Sequence, residues 1–204
     1  TSSTATVALS DPQVTANPVN ASANYGQSAT FTASVSTANA PLSYGWYLGT
    51  TPLNNGLQPD GSYALGANGT TGAGSSFNLT LTLTNLSYQD IGLYTLDITN
   101  ALGIYYSSTP AALTVTDPYI VTPPANPGVA DGGNASFTVA AAGSPSLIYQ
   151  WYKGATALID GGTTLGGTAL VSGSQTATLT LTGVHDADNG SYSCQVSSSA
   201  SGQT

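Results

Sequence analysis

Along the chain, apolar residues recur at every second position over short stretches, and helical spacing is nearly absent. In Phe77-Asn-Leu-Thr-Leu-Thr-Leu83 the odd positions are apolar and the even ones polar. One face of such a segment enters a core and the other meets water. The same reading predicts strands over 29–35, 94–98, 136–140, 177–181 and 192–196. Clusters of Gly, Asn, Pro and Asp separate them, as expected of an all-β chain made of many short strands.

The pattern occurs twice. Trp46-Tyr47 returns as Trp151-Tyr152, 105 residues later, and Asp11-Pro12 returns as Asp117-Pro118, 106 residues later. Leu81-Thr-Leu-Thr-Asn-Leu-Ser-Tyr-Gln-Asp-Ile-Gly-Leu-Tyr94 matches Leu179-Thr-Leu-Thr-Gly-Val-His-Asp-Ala-Asp-Asn-Gly-Ser-Tyr192. A fixed period of this length marks repeated structural units. Two units of about 100 residues also suit a chain of 204.

Three marks in the repeat resemble the immunoglobulin superfamily, in particular the intermediate-type domains of animal and bacterial surface proteins. The first is a Trp on the third strand, here Trp46 and Trp151. The second is Asp-x-Gly-x-Tyr, here Asp90-Ile-Gly92-Leu-Tyr94 and Asp188-Asn-Gly190-Ser-Tyr192. In that family the Tyr hydroxyl anchors the turn into the sixth strand. The third is the position two residues beyond the Tyr, where the family usually has a disulfide cysteine. Leu96 and Cys194 stand there, facing Ala33 and Val139 on the second strand. With a single cysteine there is no intrachain bridge, and the resemblance implies a core held by packing, with Cys194 as a buried free thiol. The implied fold is all-β: two tandem immunoglobulin-like Greek-key β-sandwiches.

The second sandwich lacks its own last strand. The first has Gly103-Ile-Tyr-Tyr-Ser-Ser-Thr-Pro-Ala-Ala-Leu-Thr-Val-Thr-Asp-Pro118, whereas the second stops at Thr204, just after the turn. Thr1-Ser-Ser-Thr-Ala-Thr-Val-Ala-Leu-Ser-Asp-Pro12 reads as such a strand displaced to the other end. Placing residues 202–204 before residues 1–4 aligns them with 103–109. After one skipped residue, Ala5, Val7 and Leu9 align with Ala111, Leu113 and Val115. The organisation is therefore a last-strand donor segment at 1–12, a first domain at 13–118 and a second at 119–204, incomplete without a strand like 1–12. Exposed strand edges invite pairing, so residues 1–12 are expected to be strand-paired. Strand donation between copies would join subunits head to tail into a filament. A longer covalent array cut within a strand, and a fold-back of 1–12 onto the same chain, are the other two arrangements.

Composition narrows the partners. Charged residues are 5% of the chain, the net charge is −8, and Lys153 is the only Lys or Arg. Phosphate backbones and anionic lipid surfaces both need clustered cations, which excludes nucleic acid and polybasic membrane docking. No apolar run reaches the roughly 20 residues of a membrane-spanning helix. A chain with one tryptic site and a Ser/Thr-rich surface suits the cell exterior.

Catalytic, cofactor and metal sites are not expected. His185 is the only histidine, and its neighbours Asp186 and Asp188 align with the tyrosine corner of the first repeat, so a turn is the better reading than a triad. Asp186-Ala-Asp188-Asn-Gly190 has its glycine one residue early for a calcium loop and no distal Glu. One His and one Cys do not make a zinc site. An isopeptide at Lys153 lacks its usual assisting Glu. Six Asn-x-Ser/Thr sequons, at Asn20, Asn68, Asn78, Asn85, Asn134 and Asn189, matter only in a glycosylating route. The core markers are Trp46, Tyr94, Trp151, Tyr192 and Cys194, and the assembly residues are Ala5, Val7 and Leu9. The function expected is a structural repeat unit of an extracellular filament or surface stalk, its partners being copies of itself or adjacent domains of one chain. The alternative is an adhesive or carbohydrate-binding pair of domains, for which Tyr63, Tyr105 and Tyr106 are the sugar-stacking candidates.

Overall fold

The computed structural model describes residues 11–204. Residues 1–10, which carry the expected donor side chains Ala5, Val7 and Leu9, lie outside the described residues. The chain divides between Val115 and Thr116 into two compact units.

In the first unit two sheets face each other. One runs in the order Gln13–Ala16, Ala29–Ser36, Ser76–Thr84, Tyr63–Leu65, Gly56–Leu57. The other runs Ala21–Asn24, Ala111–Thr116, Gly92–Thr99, Ser43–Leu48, Thr51–Pro52, with Tyr105–Ser107 also on Gly92–Thr99 and Asn68–Thr70 on Ser43–Leu48. Period-2 alternation sets what is inside. Phe31, Ala33 and Val35 meet Leu79, Leu81 and Leu83 of the paired strand, and the intervening threonines face solvent. From the facing sheet come Trp46, Tyr94, Leu96 and Ile98, and from the last strand Ala111, Leu113 and Val115, all buried.

The second unit repeats the plan in smaller pieces. Asn134–Thr138, Thr178–Thr182 and Leu170–Ser172 form one sheet. Thr156–Ala157, Leu147–Lys153 and Tyr192–Ser198 form another, and Tyr119–Thr122 pairs with Ala140–Ala142. The strand expected as one piece over 136–140 is broken at Val139. The chain there leaves Thr178–Thr182, its partner as far as Thr138, and takes Tyr119–Thr122 from Ala140 onward.

Each core is centred on the same three rings. Phe31 stacks on Tyr94 with centroids 4.8 Å apart and lies 6.3 Å from Trp46. Phe137 stacks on Tyr192 at 5.0 Å and lies 6.1 Å from Trp151. The Asp-x-Gly-x-Tyr corner also has the same construction twice. A single 3-10 turn, Tyr88–Asp90 or Asp186–Asp188, precedes the sixth strand. The Asp carboxylate accepts from the amide three residues back (Ser87, 2.8 Å; His185, 3.0 Å). The Tyr hydroxyl donates to the Asp carbonyl (Tyr94 to Asp90, 2.8 Å; Tyr192 to Asp188, 2.6 Å). A Cβ at the middle glycine would press on a flexible side chain, standing 2.5 Å from Leu48 Cδ1 at Gly92 and 3.1 Å from Lys153 Cε at Gly190, where φ is +156°.

Candidate functional site

The two units differ most along one flank of the sixth strand. In the first, Gly92–Thr99 pairs with Ser43–Leu48 on one side and with the last strand on the other, in the register Gly92 to Leu113, Leu93 to Ala112 and Tyr94 to Ala111. The Leu96 amide donates to Ser108 Oγ (2.9 Å), and the Ser108 amide donates to Leu96 O (2.8 Å). In the second unit, Tyr192–Ser198 pairs with Leu147–Lys153, setting Cys194 opposite Trp151. The Trp151 amide turns away from that pair to Ser174 O (2.9 Å). In an antiparallel ladder opposed residues either exchange both bonds or neither. The Cys194 amide and carbonyl therefore point to the other flank, as those of Leu96 do. Among the described residues no strand pairs with that flank.

The turn that leads into a seventh strand is nevertheless formed. Ser198 N donates to Gln203 O (3.1 Å) and Gly202 N to Ser198 O (3.0 Å). The first unit makes a similar turn one residue shorter, with Asn100 N to Ile104 O (3.0 Å) and Gly103 N to Asn100 O (2.9 Å).

The core is less covered in the second unit. Tyr94, Leu96 and Phe31 are at most 1% exposed, but their counterparts Tyr192, Cys194 and Phe137 are all half-buried. The expected burial of Cys194 is thus incomplete: it lies on the strand flank with which no described strand pairs. Burial is still enough to push the Cys194 thiol pKa up, so at neutral pH it is a protonated thiol and a poor nucleophile. Two hollows lie along the flank. One, of 380 Å³, is floored by Val129, Phe137, Leu181 and Val184 and reaches Gly190 and Tyr192. The other, of 510 Å³, lies among Pro118, Tyr119, Cys194 and Val196.

The remaining candidates are structural in their contacts. His185 lies beside the corner with Nδ1 2.7 Å from Asp131 Oδ1. Asp188 meets the His185 backbone and not its ring. Burial opposes the Asp188 charge, but the Thr164 hydroxyl and the amides of His185, Ala169 and Thr168 outweigh it and hold the pKa below the ordinary carboxylate value. Asp90 has fewer donors. Burial, with Asp60 nearby, raises it to about 6 against the pull of the Ser87 amide. Lys153 Nζ donates to the carbonyls of Leu165 and Ala187, both at 2.9 Å, and to no asparagine side chain among the bonds described. Phe31 and Phe137, at the centre of both cores, are not singled out by the sequence motifs. Their shared place in the repeat, 106 residues apart, is the signal that would have found them.

Among known structures, the matches include titin domains. The I-band fragment I67–I69 of titin matches 94% of this chain at 22% identity with a TM-score of 0.45, and the chain spans 62% of that fragment's length. The titin domains Z1Z2, in a structure with telethonin, match 95% of the chain and 92% of their own length at 19% identity and a TM-score of 0.45. The titin M3 domain matches 52% of the chain and 97% of its own length at 24% identity and a TM-score of 0.39. A family model described as immunoglobulin domain matches residues 11–100 and again 117–198. The chain belongs to the immunoglobulin domain family and carries that domain twice.

Proposed function

We propose that this chain is a structural link in an extracellular filament or surface stalk, and that a seventh strand with the sequence of residues 1–12, supplied by the neighbouring unit, completes its second domain. The observation that supports the reading is the flank of Tyr192–Ser198 with which no described strand pairs, beside a formed turn and the half-buried Tyr192, Cys194 and Phe137. A bare ladder edge over an apolar trough is a site for strand addition, where main-chain bonds bind and alternate side chains select.

The first domain supplies the register. Transposed, Leu113, Ala112 and Ala111 become Val7, Thr6 and Ala5, set against Gly190, Ser191 and Tyr192. Val7 and Leu9 then enter the trough floored by Phe137 and Leu181, and Ser3 takes the Cys194 amide as Ser108 takes that of Leu96. Each unit both offers a strand and accepts one, so the contact propagates without closing. The low charge, the single tryptic site and the resemblance to surface-protein domains support a place outside the cell. No catalytic role is proposed.

The test is complementation in trans. A chain lacking residues 1–10 keeps Asp11, whose carboxylate accepts from the Ala38 amide (3.0 Å). It should be monomeric, and a peptide of residues 1–12 should bind it and raise the melting temperature of the second domain. A peptide that neither binds nor stabilises would overturn the reading.

A further inference from the structure

The outer face of the first domain's sheet carries a hollow around Gly45. Across this face the register sets Gly45 between Asn68 and Asp97, with Ser107 beyond Asp97. One step along, Ser43 lies opposite Thr99 and Thr99 opposite Tyr105, and on the other side Tyr47 lies opposite Thr95. With no side chain at Gly45, a depression of 420 Å³ opens between the Tyr47 and Tyr105 rings. That volume falls in the range of roughly 300–1,000 Å³ typical of small-ligand sites. Asp97 accepts from the Ser107 hydroxyl (2.6 Å), and the Tyr105 phenol lies close enough to Asp97 and Tyr47 to feel both. Tyr105 is 59% exposed.

In the second domain Gln150 replaces Gly45, Gln195 replaces Asp97 and Thr204 replaces Tyr105. Gln150 fills the depression. Its Nε2 donates to the carbonyls of Trp151 and Leu158, both at 2.9 Å, and its Oε1 accepts from Gln175. The Tyr152 hydroxyl is engaged by Gln195 Oε1 at 3.0 Å. One scaffold thus has the same face filled and self-satisfied in one copy, and hollow, aromatic and polar in the other.

We propose that this depression of the first domain binds a neutral saccharide. Tyr rings present a flat apolar face with a polar tip, against which the C–H face of a pyranose packs. The Asp97 carboxylate is an acceptor-only group that takes neighbouring sugar hydroxyls through charge-assisted bonds. The hydroxyls of Ser43 and Thr99 extend the polar floor. Asp97 and the net charge of −8 select against acidic sugars. The site is independent of the second domain's free flank, so it stands or falls separately from the filament reading.

Affinity electrophoresis of the full chain in gels containing dextran, galactomannan, xylan or mixed-linkage β-glucan tests it. Retardation by at least one of the four is expected. Gly45→Gln installs the second domain's residue. The backbone of Gly45 is not in the positive-φ region, and an added Cβ would meet only Tyr47 Cε2 at an ordinary 3.6 Å, so the backbone accepts a side chain there. It should weaken the retardation at least tenfold with an unchanged melting temperature, as should Tyr105→Ala at an exposed position. No retardation by any of the four, or retardation that survives both substitutions, would overturn the proposal.

Discussion

Val7 and Leu9 are the residues on which completion of the second domain turns. Their counterparts Leu113 and Val115 are 1% and 4% exposed, so a seated donor strand buries both side chains almost fully. Burying a Val or Leu side chain is worth about 1.5–3 kcal/mol. Replacing both by Ser therefore removes about 3–6 kcal/mol from the strand's binding. At about 1.4 kcal/mol per tenfold, the dissociation constant should rise by roughly two to four powers of ten. The main-chain bonds to Cys194 and its neighbours survive the change and set the residual affinity. The assay is fluorescence anisotropy, with labelled peptides of residues 1–12 titrated into the chain lacking residues 1–10. Substituting Thr6 and Ala8, whose side chains alternate to the outer face, should change binding by less than threefold. Equal binding of the wild-type and Val7→Ser/Leu9→Ser peptides would refute the assigned register and the trough as its seat.

Three further outcomes follow from the same contacts. The Cys194 thiol, half-buried on the free flank, should react with a disulfide reagent at neutral pH, and at least tenfold more slowly once the 1–12 peptide is bound; measured labelling rates decide this. Tyr94→Phe removes the hydroxyl bond to the Asp90 carbonyl and should cost the first domain about 1 kcal/mol, read by denaturant titration. Asp90, raised to about 6 by burial, holds its proton in the folded state through a window where the unfolded carboxyl, near 3.9, has lost it. The folded state then binds more protons, so Asp90 makes the first domain more stable as pH falls from 7 to 4. Melting curves against pH should show Asp90→Asn more stable than wild type at pH 7, with the difference vanishing near pH 4.

The sandwich was legible in the sequence because its signals are local and repeated. Alternation places Phe77 to Leu83, and the Asp-x-Gly-x-Tyr corners name Tyr94 and Tyr192 before any coordinate is seen. That no described strand lies on the outer flank of Tyr192–Ser198 was also legible, since it is a matter of counting strands in two copies of one domain. The loss of cover over Cys194 was not: it depends on which neighbours close over a position that is inward-facing in both copies. The break at Val139 was equally hidden, because a strand that changes partners keeps the same alternation. The Gly45 hollow is harder still. A glycine beside the core Trp reads as a weak strand position, and only the register that places Asp97 and Tyr105 around it turns the gap into a site.

The central claim is that the second domain is completed by a strand from another unit. It is tested most directly by electron micrographs of the 204-residue chain, with and without residues 1–10. Filaments that form from the 204-residue chain and fail to form once residues 1–10 are deleted are the predicted result. A monomeric native particle with its second domain stable in the absence of residues 1–10 would contradict it.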